Sequence, residues 1–99
     1  MMETRHYKQD RKYRTDFIKN NIGYGNPVFA QVVDRGHKDG PERHVITDTA
    51  ILMVFNAVTH RHITDLVLRP GQITRYNWNC PKSIMDLARE HQRLGYNKI

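Results

Sequence analysis

Residues 43–76 read RHVITDTAILMVFNAVTHRHITDLVLRPGQITRY, and this stretch decides the fold. At its centre, Ala50 to Asn56 is a continuous apolar run of strand length, the pattern of a central strand buried on both faces. Arg43 to Thr47 reads as the strand before it and His62 to Arg69 as the strand after it, with residues 56–61 as a hairpin connection. Pro70-Gly71 predicts a tight turn, and Gln72 to Tyr76 a short fifth strand or an extended arm.

Working outward, Val28 to Asp34 alternates and is rich in β-branched residues, which predicts a further strand. A breaker cluster, Gly23-Tyr24-Gly25-Asn26-Pro27, precedes it, and a loop with Gly36, Asp39-Gly40 and Pro41 follows. Tyr13, Phe17, Ile18 and Ile22 recur at helical spacing, so residues 10–22 predict an amphipathic helix stopped by Gly23, with Arg11, Lys12, Arg14 and Lys19 outward. At the other end, Cys80 is placed as N-cap and Pro81 as first helical residue. Ile84, Leu87, Ala88, His91 and Leu94 then make a stripe that Gly95 ends, opposite Lys82, Arg89 and Arg93. The expected architecture is α+β in one domain over residues 1–99. It has an N-terminal helix, an antiparallel four- or five-stranded meander, and a C-terminal helix packed on the sheet, both helices sharing one face. Residues 1–9 are polar and expected to fray.

The chain has 99 residues, 38% hydrophobic and 26% charged, which suits one small ordered domain. Its net charge of +6 favours a polyanionic partner, nucleic acid or an acidic protein. Residues 1–26 carry six Lys/Arg against three Asp/Glu, residues 27–49 three against four, residues 50–78 three against one and residues 79–99 four against two. The excess therefore sits on both helices and the late strands, and two helices on one face would bring much of it together. Cys80 is the one cysteine, which excludes an internal disulfide and a four-cysteine zinc site. No apolar leader is visible in residues 1–19, and the longest apolar run, 50–55, is far too short to span a membrane. The expectation is a cytoplasmic protein with no membrane partner.

The densest set of chemistry-bearing side chains runs from His37 to Thr49, with Lys38, Glu42, Arg43, His44, Thr47 and Asp48 between. Cleavage of RNA without a metal needs a base for the 2′-hydroxyl, an acid for the leaving oxygen, and cations for the charged phosphorus centre. His37 and His44 suit the proton transfers; Lys38, Arg43, Arg69 and Arg75 suit the phosphate. On a strand, Arg75 and Tyr76 would face opposite sides, and Tyr76 and Trp78 could stack on a base. A polar loop histidine, a surface histidine on the strand and a hairpin with solvated arginines account for the same residues without chemistry. Tyr7, Tyr13 and Tyr24 interleave with Arg11, Lys12 and Arg14, a mixture that suits single-stranded nucleic acid and equally an ordinary amphipathic helix. His60 and His62, with His44 or Asp65, could approach a metal, but no metal-ligand spacing is present and no metal or cofactor is expected. A helix N-terminus would lower the Cys80 pKa. His91, on the apolar stripe, reads as a packed, hydrogen-bonded residue.

A helix followed by an antiparallel meander, with His37, His44, Thr47, Arg69, Arg75 and Tyr76 on it, resembles the barnase/EndoU/colicin/RelE-like small ribonucleases. That resemblance, over about residues 10–76, implies a small basic, metal-independent endoribonuclease with its site on the sheet. The chain also looks like small proteins of phage and mobile elements, which implies a toxin or a host-directed inhibitor. Three readings therefore stand: an RNA-directed binding domain with endoribonuclease activity, a non-enzymatic binder of an acidic protein, and a metal-dependent enzyme using His44, His60 and His62.

Overall fold

A computed structural model describes the backbone of residues 2–98 and the side chains from Arg11 to Lys98. Helix α1 spans Met2–Asn21, followed by strands β1 (Pro27–Val33), β2 (Glu42–Thr47), β3 (Ile51–Asn56) and β4 (His62–Val67). Helix α2 (Pro70–Ile73) and helix α3 (Lys82–Arg93) follow, and a 3-10 turn at Tyr96–Lys98 ends the described chain. The strands form one antiparallel sheet in sequence order, β1-β2-β3-β4, so the α+β meander is as expected with four strands.

Alternation along β3 explains the two cores. Neighbouring residues point to opposite faces. Leu52 and Val54 enter a cluster with Ile46, Leu68, Ile73, Ile84 and Ala88, while Ile51 meets Ile18 and Val67. The apolar run is thus buried on both sides where it is central, at Ile51 and Leu52, and opens towards Phe55. Helices α1 and α3 do not bury their residues together, contrary to expectation: Ile18 of α1 belongs to the second cluster, and Ile84 and Ala88 of α3 to the first. Beyond the reach of α1 the second face stays open, as an apolar hollow that includes Val28, Arg43, Val45, Met53 and Phe55.

The expected fifth strand is instead helix and turn. Pro70 supplies the preset φ of a first helical residue, Gln72 Oε1 accepts the Arg69 N–H at 2.8 Å, and Ile73 is buried at 3% exposure. Arg75 and Tyr76 close the turn through N–H bonds to the carbonyls of Gln72 and Ile73. Helix α3 starts one residue later than its sequence signal, with Pro81 in the capping position rather than Cys80. Ile84, Ala88 and His91 are buried as read, whereas Leu87 and Leu94 of the same stripe reach solvent. Burial raises the Cys80 thiol pKa and outweighs the opposing hydrogen bond from the Met85 backbone, so the expected lowering is reversed. His91 is 6% exposed and donates from Nε2 to the Thr49 carbonyl at 3.0 Å.

The segment before β1 is pinned to the β2–β3 turn. Asp48 Oδ1 accepts the Asn26 N–H at 2.9 Å, and Gly25 at φ +68 sits so close that a Cβ there would lie 2.1 Å from the same oxygen. Thr49 Oγ1 lies within hydrogen-bond reach of the carbonyls of Gly23 (2.7 Å) and Tyr24 (2.9 Å). Tyr24 then donates to Asp65 Oδ2 at 2.8 Å, tying this segment to β4. No described helix is long and apolar enough to cross a membrane.

Ile51→Ala should cost about 2–5 kcal/mol in urea unfolding, since it opens a cavity between β3 and α1. Val32→Ala on the exposed edge of β1 should stay within about 0.5 kcal/mol. Equal losses would contradict the two-sided burial of β3.

Candidate functional site

Strand β2 presents Glu42, His44 and Ile46 to one face and Arg43 and Val45 to the other. His44, 2% exposed, is therefore enclosed under the segment that follows α2. Its Nδ1 lies 2.6 Å from the Tyr76 hydroxyl and its Nε2 lies 3.0 Å from Glu42 Oε1. An ionised carboxylate only accepts, so Nε2 carries a proton, and in the neutral ring Nδ1 then accepts from the phenol. The chain of donors runs Tyr76 to His44 to Glu42, and it leaves lone pairs of the phenol oxygen available to a further donor.

This chain opens into a cleft of about 420 Å³ whose polar rim includes Arg35, Gln72, Arg75 and Tyr76. Burial raises the Tyr76 pKa and the Glu42 charge adds to the rise, against the opposing fields of Arg35 and Arg75. The phenol is consequently protonated at neutral pH, with two guanidinium groups near enough to act on it. Phe29 meets the Tyr76 ring edge-on at 5.9 Å between centroids, and Gln31 Oε1 accepts the Asn77 N–H at 3.0 Å, so β1 holds the segment in place.

Of the sequence-predicted residues, His44, Arg75 and Tyr76 share this cleft. Arg75 and Tyr76 come to the same cleft because they lie in a turn, not on opposite sides of a strand. His37 lines a separate hollow with Asp39, Asn56 and Arg61, which Glu42 also borders, and Lys38 is exposed in the same loop. Thr47 is fully buried, pairs with Thr49 Oγ1 at 3.1 Å and accepts the Ile51 N–H at 3.3 Å, so its hydroxyl braces the β2–β3 turn. Arg69 donates to the Asn97 carbonyl at 3.3 Å, away from the cleft. Arg43 lines the open apolar hollow on the other face, together with His60. Trp78 stacks on Phe29 at 4.6 Å and packs against the core, which occupies one of its faces. Arg11 and Lys12 lie on α1 beside His62, and Arg14 donates to Thr64 Oγ1 at 2.7 Å. On α3, Lys82 and Arg89 pair with Asp86, and Arg93 pairs with Glu90, so this helix contributes little free positive charge.

Arg35 and Gln72 were missed, and Glu42 was noticed without a role. Glu42 had a signal, since it stands two residues before His44 on a strand and must share its face. Arg35 lies in a loop, where no periodicity places a side chain. His44, His60 and His62 do not assemble, and the described residues contain no group of three or more His, Cys, Asp or Glu placed to hold a metal. The chain matches no family model, no curated protein and no solved structure.

Two phenols hold their protons more tightly in the fold than in the unfolded chain: Tyr76 is raised and Tyr24, half-buried beside Asp65, is pushed up to about 12. Their contribution to stability is intact below the ordinary phenol value of about 10 and is lost as pH rises through the folded values. The urea midpoint should fall between pH 9 and pH 11, and fall less in Tyr24→Phe than in the parent. An equal fall in both would contradict the Tyr24–Asp65 assignment.

Proposed function

We propose that the chain binds RNA, seating a phosphate and the adjoining ribose in the cleft beside Tyr76. The observation that carries this reading is the pairing of Arg35 and Arg75 with a protonated phenol at one polar opening, backed by His44 and Glu42. Guanidinium groups suit phosphate oxygens through paired N–H bonds. The phenol oxygen can accept from a ribose hydroxyl, the group that distinguishes RNA from DNA. The net charge of +6 adds long-range attraction for the same class of partner.

The donor chain also favours a second reading, metal-independent endoribonuclease activity. His44 is enclosed, so Tyr76 is the group within reach of a substrate. A 2′-hydroxyl proton passes to the Tyr76 oxygen while the phenol proton passes to His44 Nδ1, and Glu42 stabilises the resulting imidazolium. The 2′-oxygen attacks phosphorus, the bond to the 5′-oxygen breaks, and that oxygen takes a proton from water; the hydroxide left is neutralised by the proton that His44 returns through the Tyr76 oxygen, which restores the site. The arginines offset the charge that builds on the phosphate oxygens. This is the chemistry that the resemblance to barnase/EndoU/colicin/RelE-like ribonucleases implies, carried by Tyr76, His44 and Arg75, with His37, Thr47 and Arg69 outside it.

Titration of a labelled single-stranded RNA against salt should give a binding slope of about −0.7 per phosphate neutralised. Arg75→Ala should weaken binding and flatten that slope. A slope near zero, or equal affinity for an acidic protein ligand, would overturn the RNA reading. On cleavage, Tyr76→Phe should retain binding and lose at least about 100-fold in rate, the scale of one acid–base contribution. A strand with a 2′-deoxy sugar at the cut position should survive. Cleavage undiminished in Tyr76→Phe would remove the catalytic reading and leave the binding one.

A further inference from the structure

A second cluster of titratable groups lies where α1 crosses β4, outside the Tyr76 cleft. Asp65 is 4% exposed, and both of its carboxylate oxygens are engaged. Oδ2 accepts from the Tyr24 hydroxyl at 2.8 Å, and Oδ1 lies 2.6 Å from His62 Nε2. A carboxylate this enclosed requires its partners, since leaving one oxygen unpaired costs the full desolvation of that group. Both oxygens are thus occupied inside the fold, and the carboxylate does not line the space outside. His62, 40% exposed, is held by Nε2, which leaves Nδ1 for whatever occupies the space outside.

That space is a hollow of about 260 Å³ lined by Arg11, Lys12, Thr15, His62 and Thr64. Its lining offers two cations and an oriented imidazole, and no carboxylate, while the Thr64 hydroxyl is already engaged by Arg14 and the Asp65 carbonyl. It is smaller than the roughly 300–1,000 Å³ of pockets for drug-sized ligands, so it suits one compact anionic group. Arg14, bonded to Thr64 Oγ1 at 2.7 Å, adds positive charge at the rim. Among the described residues neither Arg11 nor Lys12 forms an ion pair, whereas the cations of α3 pair with Asp86 and Glu90. Thr64 also lines the Tyr76 cleft, so the hollow and the cleft meet along β4.

We propose that this hollow is a second phosphate subsite, which takes a neighbouring phosphate of the strand seated in the Tyr76 cleft. The proposal rests on the RNA reading above and extends it by fixing where the strand leaves the cleft: across Thr64 and onto α1. Arg11 and Lys12 supply the charge. His62, positioned by Asp65 and Tyr24, supplies a directed polar contact through Nδ1.

The test compares a dinucleoside monophosphate, which carries one phosphate, with an octanucleotide RNA, using the whole chain. In the double variant R11Q/K12Q the octanucleotide should bind about 10-fold more weakly, with a salt slope smaller by about 0.7, one phosphate contact's worth. The dinucleoside monophosphate should bind R11Q/K12Q as it binds the parent, while Arg75→Ala weakens both ligands. If R11Q/K12Q leaves the octanucleotide slope unchanged while Arg75→Ala weakens binding, the subsite is wrong and the cleft reading stands. If the parent binds neither RNA with any salt dependence, both fall together. Competition by polyglutamate as effective as by octanucleotide would also overturn the subsite, since a carboxylate polymer would then satisfy it. Lys12 is exposed and Arg11 half-buried, so the variant is expected to fold, with an unchanged urea midpoint as the control.

Discussion

The hydrogen bond between Tyr76 and His44 joins the two parts of the molecule on which everything at the cleft depends. His44 comes from the middle of the sheet, and Tyr76 from a turn 32 residues later in sequence. An enclosed imidazole must satisfy both nitrogens or lose stability. Glu42 satisfies one from the same strand, and among the described residues Tyr76 alone satisfies the other. That requirement draws the segment after α2 onto the sheet and aims Tyr76 and Arg75 into one opening. The core contributes in the same place: Ile73, three residues before Tyr76, is buried against Leu52 and Val54 of β3. Apolar burial supplies the attraction, and the polar chain supplies the register.

Charge is unevenly useful over the surface. The acids of α3 lie on the same helix as its bases, and their pairs are exposed, so they do little for stability and also little for a distant anion. The cations that remain without described carboxylate partners include Arg11 and Lys12 on α1 and Arg75 at the cleft. The picture of one broad basic face formed by both helices therefore gives way to a narrower one. Positive groups flank β4 and the cleft, each near a histidine whose orientation is set by a carboxylate. Glu42–His44 and Asp65–His62 are the same device used twice, once enclosed and once at the surface.

Much of the fold was legible because it rests on periodicity. The run from Ala50 to Asn56 marked the central strand, and the spacing of Ile84, Ala88 and His91 marked the last helix. The reading failed where a local signal outweighed the pattern. Ile-Thr-Arg-Tyr at 73–76 looks extended, but Pro70 presets a helical turn and Gln72 caps it. At the site, residue type alone was a poor guide. Thr47 has the right hydroxyl and is sealed inside a turn, and Arg43 is excluded from the His44 cleft by the alternation of its own strand. The partnership of Glu42 with His44 could be read from their spacing. The partnership of His44 with Tyr76, and the approach of Arg35, depend on the tertiary fold and leave no trace in local sequence.

The most direct measurement is the protonation pattern of the His44 ring, observed in long-range proton–nitrogen NMR spectra at neutral pH. The account expects a proton on Nε2, an unprotonated Nδ1 accepting a hydrogen bond, and a clear change at Nδ1 in Tyr76→Phe. A proton on Nδ1, or a ring signal indifferent to the loss of the Tyr76 hydroxyl, would contradict the donor chain and with it the arrangement of the cleft.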